Sequence, residues 1–494
     1  MTVTTIEIRL DEPIGTISPR LYGHFAEHLG RCCYDGLWDS AEVTGDHVAG
    51  RFRRDVVEAL HELPVPLLRW PGGCYADHYH WRDGIGPVSA RPRRLGMSCS
   101  LQVEDDNSLG THEFLQLCAE LGAEPYLAGN VGTGSPQELC DWLEYCNSPR
   151  DTTLTRERAG NGRAAPFDVR LWGVGNENWG CGGNFDAVTY ALEYRRYATM
   201  LRHIDPSAEL VICGEEDDWN AKLLDTLAAD VHLVDHLSIH TYWRNGGPET
   251  GFTEDDYYAL LTEARGTETF IERTAEIIAD AAGDKQRIGI ALDEWGVWHP
   301  EARRLGPASR RPITYEQANT LRDALAVALT LHGFHRQCNV LTLANLAQIV
   351  NVLQAPIMTD GDRMWRTATY HALRLHARHI AATAVPATTI AGDILSDGSA
   401  AVTGSASTGG HGTTISIVNQ HYDRGAEVHV SGTRGSGEAT ADLLAADNPA
   451  SGNDAQVPDR LIPVPLSIAG NDRDGWRIDL PPHSLATLSF GHND

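Results

Sequence analysis

From Leu21 onward, short apolar runs alternate with longer segments whose apolar residues recur at helical spacing, and the rhythm continues to about Tyr370. Alternation of this kind predicts βα units, because parallel strands need a crossover element between them. Eight runs qualify: Leu21–Phe25, Pro66–Trp70, Glu124–Gly129, Val169–Gly175, Glu209–Gly214, Val234–His240, Arg287–Leu292 and Val340–Leu343. Helix-compatible segments lie between them at Gly50–Glu62, His112–Leu121, Gln137–Asn147, Ala187–His203, Asp255–Ala282 and Tyr315–His332. Eight such repeats predict an α/β fold, a (β/α)8 TIM barrel with generous insertions. Segment Arg150–Pro166 is polar and without period, and reads as an exposed excursion.

Beyond Tyr370, Gly, Ser and Thr punctuate short alternating runs: Thr413–Asn419, Ala426–Ser431, Ala439–Ala445, Leu461–Ile468 and Trp476–Leu480. These predict an antiparallel β-sandwich. Val3, Ile6, Ile8 and Leu10 alternate with polar residues ahead of Pro13, giving an orphan strand that the sandwich would complete. The expected division is a catalytic barrel over residues 17–370 and a sandwich over 371–494, completed by residues 1–16.

In a (β/α)8 barrel the chemistry sits at the C-terminal ends of the strands. Two runs end there in a carboxylate: Val169 to Gly175 leads into Asn176-Glu177-Asn178-Trp179-Gly180, and Arg287 to Leu292 leads into Asp293-Glu294-Trp295-Gly296. Two opposed carboxyl groups suit glycosidic cleavage, one protonated to assist the leaving oxygen and one ionised to meet the charge developing at the sugar. Glu177 would be the acid, kept protonated by burial and a neighbouring negative charge, and Glu294 the ionised partner. Arg69, ending the second run, would hold Glu294 ionised; His240 and Tyr242 fall on one side of the sixth strand and could donate hydrogen bonds. The Asn176 amide offers a donor and an acceptor to a sugar hydroxyl, and Glu27 could accept from two hydroxyls. Trp172, Trp179, Trp295 and Trp298 offer ring faces, with Trp179 and Trp298 better placed because they lie beyond their strands. Arg303, Arg304, Arg310 and Arg311 follow the seventh strand and read as a solvated face.

Composition narrows the substrate. With 67 acidic against 40 basic residues the chain carries a net charge of −27, which disfavours nucleic acid and anionic membranes and suits a neutral ligand. The N-terminus lacks a basic segment followed by an apolar run, and no stretch approaches the roughly 18 apolar residues of a membrane span, so a cytoplasmic location is expected. The ten cysteines, irregularly spaced, would then be reduced, with Cys32, Cys33, Cys74 and Cys181 acting as small fillers or accessible thiols. His24 with His28, and His78 with His80, raise a metal site, but no CxxC or HExxH pattern accompanies them. No metal and no cofactor are expected, since Gly173-Val-Gly and Gly180-Cys-Gly-Gly do not make a nucleotide fingerprint.

The motifs Tyr22-Gly-His-Phe-Ala-Glu27-His-Leu-Gly, Arg69-Trp-Pro-Gly-Gly, Trp81-Arg-Asp-Gly-Ile-Gly-Pro, Trp172-Gly-Val-Gly-Asn-Glu177-Asn-Trp-Gly and Asp293-Glu294-Trp resemble glycoside hydrolase family 51, the α-L-arabinofuranosidases. The likeness runs through Leu480-Pro-Pro-His-Ser-Leu-Ala-Thr-Leu near the end of the chain. It implies retaining double displacement on arabinofuranosyl oligosaccharides and a homo-oligomer, a hexamer or trimer of dimers. By position it implies Glu177 as acid/base, Glu294 as nucleophile, and Glu27, Asn176, Tyr242 and Gln348 as sugar-binding residues. Where the family pattern often has Asn after the Gly-Gly turn, this chain has Cys74, whose backbone N–H could still bind a hydroxyl. A related glycosidase acting on a β-xyloside, galactofuranoside or glucan, and a non-catalytic carbohydrate-binding protein, are the rival readings.

Overall fold

The structure, a computed structural model, describes residues 3–43, 49–283, 287–306, 308–410, 412–433, 439–471 and 474–491. Eight parallel strands close into a barrel in chain order: Gly23–Phe25, Leu67–Trp70, Glu124–Gly129, Leu171–Val174, Glu209–Cys213, His236–Trp243, Gly289–Val297 and Leu341–Ala347. Each coincides with one of the eight apolar runs, because strands buried on both faces leave no polar alternation to confuse the signal. Leu67, Tyr126, Leu171, Val211, Ala291 and Leu343 form a cluster of buried side chains in the barrel interior. Below it Arg20 pairs with Glu124 at 2.6 Å and Glu209 at 2.7 Å, tying the bottom ends of three elements together.

The sandwich sheets have five and seven strands. Val3–Ile8 joins the five-stranded sheet between Ala387–Ala391 and Ala426–Ser431, so the N-terminal strand completes the sandwich. Its pairing with Ala426–Ser431 is parallel, a departure from the antiparallel pairing expected throughout: the strand arrives from the far end of the chain and is bound by no hairpin. Leu461–Ile468 was expected as a strand, but only Val464–Pro465 pairs within that run. Ile6, Ile8, Ile415, Ile417, Val428, Val430 and Leu488 form the sandwich core.

The helix Leu321–Arg336 joins the two parts, with every residue from Leu321 to His335 buried. At this junction His335 bridges Tyr22 and Ser405 at 2.8 Å each, and His379 bridges Ser407 and Ser416. Three helical expectations shift. In Gly50–Glu62 the first residues belong to the strand Ala49–Phe52, and the helix starts at Arg54. Tyr315 to Thr320 is not helical, and the helix starts at Leu321, where Asp323 accepts from the Thr320 N–H. The supposed excursion Arg150–Pro166 contains a helix, Thr153–Gly160, hidden because its inward residues are Leu154, Thr155 and Arg158 rather than an apolar stripe. Arg158 earns its burial by donating to the carbonyls of Tyr145, Ser148 and Ala164.

Candidate active site

The fourth barrel strand stops at Val174, and the chain turns through Gly175 at φ 86° and Glu177 at φ 41°. A left-handed Glu is uncommon and here throws the carboxylate over the barrel mouth. Asp77 braces the turn: one oxygen accepts from the N–H groups of Val131 and Gly132 at 2.7 Å, the other from the Asn176 N–H at 3.1 Å. One buried carboxylate therefore ties together the segments after strands two, three and four. The sequence reading missed Asp77, since an isolated Asp carries no signal of three backbone partners.

The seventh strand delivers Glu294 differently. Its register against strand six steps from Ile239–Leu292 to His240–Glu294, so Asp293 is the extra residue of a bulge. Bulges re-aim side chains beside active sites. Here Asp293 accepts from Tyr126 at 2.7 Å and Asn345 at 3.3 Å, while Glu294 lies beside His240.

One oxygen of each carboxylate and a His240 ring nitrogen lie within 4.8 Å of one another. His240 Nδ1 stands 2.9 Å from Glu177 Oε1 and 3.7 Å from Glu294 Oε2. Glu294 also accepts from Arg69 at 3.0 Å and from the Tyr242 hydroxyl at 2.7 Å. Burial alone would raise the Glu294 pKa, but the His240 and Arg69 charges and these hydrogen bonds outweigh it, and the carboxyl is held below its usual range. Burial likewise opposes charge on His240, yet Glu294 and Glu177 raise its pKa. Glu27 goes the other way: burial and the Glu294 charge push it up to about 8. Both Glu27 oxygens accept here, one from Ser98 and one from Gln348.

The remaining sequence candidates divide by where the structure puts them. Arg69 donates to Asn176 Oδ1, which fixes the orientation of the amide expected to offer a donor and an acceptor. Gln348 donates to Glu27 from Nε2, while its buried Oε1 has no partner among the described residues. Ser98, another residue missed in the sequence, donates to Glu27 at 2.6 Å from the hairpin Arg94–Asp105. Trp179 and Trp298 line the cavity above the carboxylates, together with Cys74, Tyr242, Gln348 and Tyr315. Trp172 and Trp295 are core residues behind the barrel wall. Gly73 is required by space: a Cβ there would stand 2.9 Å from Glu294 Oε1 and 3.0 Å from Glu27 Oε1.

The histidine pairs considered for a metal do not converge. His28 packs among Tyr34, Trp70, Tyr75 and Tyr79, and His80 pairs with Glu138 at 2.8 Å.

Sequence models of two families match: the α-L-arabinofuranosidase 1 domain over residues 59–259 and the α-L-arabinofuranosidase C-terminal domain over residues 293–484. A curated relative from Bacteroides ovatus, described as an intracellular exo-α-L-arabinofuranosidase, is 38% identical over 98% of this chain and 95% of its own. The chain belongs to the family 51 α-L-arabinofuranosidases. Solved structures agree: a family 51 arabinofuranosidase from Xanthomonas axonopodis pv. citri superposes with a TM-score of 0.90 at 33% identity, covering 99% of this chain and 100% of that one. An arabinose complex of the Thermotoga maritima α-L-arabinofuranosidase superposes with a TM-score of 0.88 at 28% identity, with 99% and 100% covered.

This arabinofuranosidase, a glycoside hydrolase, departs from the expectation of ten reduced cysteines. Cys74 and Cys181 form a disulfide across 107 residues, their Cα atoms 5.4 Å apart, beside Glu177. Sequence spacing hid the pair because barrel closure, rather than any local motif, brings the loops after strands two and four together. Cross-linking so long a loop removes denatured-state freedom, and losing such a bridge typically costs about 2–4 kcal/mol. Cys181→Ser should therefore lower Tm, and thiol reductant should lower the wild-type Tm to the same value without moving the variant. An unchanged Tm in both experiments would contradict this role.

Proposed function

We propose that the protein is a retaining, exo-acting α-L-arabinofuranosidase that frees terminal arabinofuranosyl residues from oligosaccharides. The observation that carries the proposal is the approach of one Glu177 oxygen and one Glu294 oxygen to within 4.8 Å, both beside His240 Nδ1. Retention is associated with carboxyl groups roughly 5–5.5 Å apart, whereas inversion needs about 6.5–9.5 Å to admit a water. Their environments divide the work. Glu294, ionised and with its side chain 8% exposed, attacks the anomeric carbon; Glu177, 21% exposed, protonates the departing glycosidic oxygen. That step breaks the bond to the aglycone and forms a glycosyl ester on Glu294. Water then gives its proton to Glu177 and its oxygen to the anomeric carbon, releasing Glu294.

The sugar would be read by the Gln348 Oε1 acceptor, the Asn176 amide and Glu27. Tyr242, whose hydroxyl is committed to Glu294, acts mainly by orienting the nucleophile. Relatives from Bacteroides ovatus and Halalkalibacterium halodurans are both named intracellular exo-arabinofuranosidases, which supports the exo mode and a cytoplasmic location. A homo-oligomer belongs to the same proposal, and a solution mass of one 53.9 kDa chain would contradict it.

Glu177→Ala tests the division of roles. An arabinofuranoside with a good leaving group, such as dinitrophenolate, should keep its rate of bond cleavage within about tenfold, because it departs without a proton. One with an alkyl alcohol should lose roughly 10²–10⁴-fold. Equal losses on both would remove Glu177 from the acid role.

A further inference from the structure

The loop after strand seven brings Arg303 and Arg304 to the mouth of the catalytic cavity, a space of ≈ 460 Å³, and Arg244 reaches the same mouth from the end of strand six. The solvated face expected of the loop arginines holds only in part. Arg310 is tied to Glu249, but among the described residues no carboxylate lies within ion-pair distance of Arg244, Arg303 or Arg304. Glu263 and Glu301 act on Arg303 electrostatically without forming an ion pair with it; Glu263 accepts from the N–H groups of Arg244 and Asn245 at 2.7 Å, and Glu301 from that of Glu249 at 3.2 Å. Nor do the acids of the cavity floor need these arginines. Glu294 has Arg69 and His240, Glu177 has His240, and Glu27 has Ser98 and Gln348.

The three guanidinium groups have distinct placements. Arg303 donates to the carbonyls of Trp298 and Arg244, which fixes the rim. Arg244 lies 4.7 Å over the Trp298 ring. Arg304 is exposed, and among the described residues its guanidinium makes no hydrogen bond or ion pair. In a chain of net charge −27, with most arginines paired to carboxylates, two cations at the entrance that form no ion pair among the described residues, Arg244 and Arg304, point to a ligand that brings the counter-charge.

We propose that the aglycone side of the cavity recognises a carboxylate, so that preferred substrates carry a uronic acid next to the arabinofuranosyl linkage. Arg244 and Arg304 bind the acid beside Trp298, and Arg303 positions the rim. This refines the neutral-ligand expectation drawn from net charge: overall charge sets the far field, whereas three local cations set the field at the mouth. The inference rests on the arabinofuranosidase reading above and adds the class of its leaving group.

The test uses α-L-arabinofuranosyl disaccharides differing only at C6 of the second sugar, glucuronate against its methyl ester, with 4-nitrophenyl α-L-arabinofuranoside as a separate probe. For the wild-type protein at low salt, kcat/KM for the acid should exceed that for the ester by about tenfold or more, as expected of a charge-assisted hydrogen bond. The ratio should shrink at high salt, because the rim is open to solvent. In the double variant Arg244→Gln, Arg304→Gln, the acid-to-ester ratio should fall to near one. Wild-type protein that hydrolyses the nitrophenyl glycoside yet shows no preference for the acid overturns this inference alone. So does a preference that survives in the double variant. Failure to hydrolyse any of the three overturns it together with the arabinofuranosidase reading.

Discussion

Glu294→Ala should lower kcat/KM for every arabinofuranoside, good leaving groups included, by roughly four to six orders of magnitude, the scale seen when a catalytic nucleophile is removed. Leaving-group independence is the diagnostic part. Without Glu294 there is no atom to form the glycosyl ester, so an aglycone that needs no proton gains nothing. Parallel assays of Glu177→Ala and Glu294→Ala on one activated and one unactivated glycoside therefore separate the two carboxylates. If Glu294→Ala retained most activity on the activated glycoside, the nucleophile would have to be reassigned.

Arg69→Met should have the second-largest effect, on folding and catalysis together. Arg69 is buried between the Phe25 ring at 4.4 Å and the Tyr126 ring at 5.7 Å, and its guanidinium serves Glu294 and Asn176. Removing it strands a buried carboxylate, a loss of about 3–5 kcal/mol. The variant Arg69→Met, Glu294→Gln should be more stable than Arg69→Met alone, since neutralising Glu294 removes the unpaired charge. The pH profile should also move. Against the effect of burial, the Arg69 charge helps hold the Glu294 pKa down; without it Glu294 takes up a proton at higher pH. An ionised nucleophile is required, so the acid limb of kcat/KM should shift to higher pH in Arg69→Met. Chemical denaturation and a pH–rate profile measure the two effects. A limb that stays in place or shifts to lower pH would show that Arg69 does not set the ionisation of Glu294.

The parts of the molecule most legible in the sequence were those specified by contiguous residues. The eight barrel strands stood out because each is a short, mainly apolar run set off by helix-compatible segments, and Glu177 and Glu294 stood out because each follows such a run. What could not be read arises from closure of the chain on itself. The Cys74–Cys181 bridge, the Asp77 brace and the Ser98 contact to Glu27 join residues that only barrel topology brings together. The Asp293 bulge depends on register with two neighbouring strands, which no single run reveals. The helix Thr153–Gly160 escaped because its buried face is partly polar, and the matched or unmatched state of each arginine is a property of its neighbours. The raised pKa of Glu27 is of the same kind, following from burial and the Glu294 charge.

The account depends on Glu177 and Glu294 acting on opposite sides of one bond with Glu294 becoming covalently attached, and the configuration of the first sugar released reports this directly. Proton NMR of an arabinofuranoside digest, followed from the earliest minutes before mutarotation, should show the α anomer of arabinose forming first. Initial release of the β anomer would mean a single displacement by water and would contradict the mechanism assigned to this pair of carboxylates.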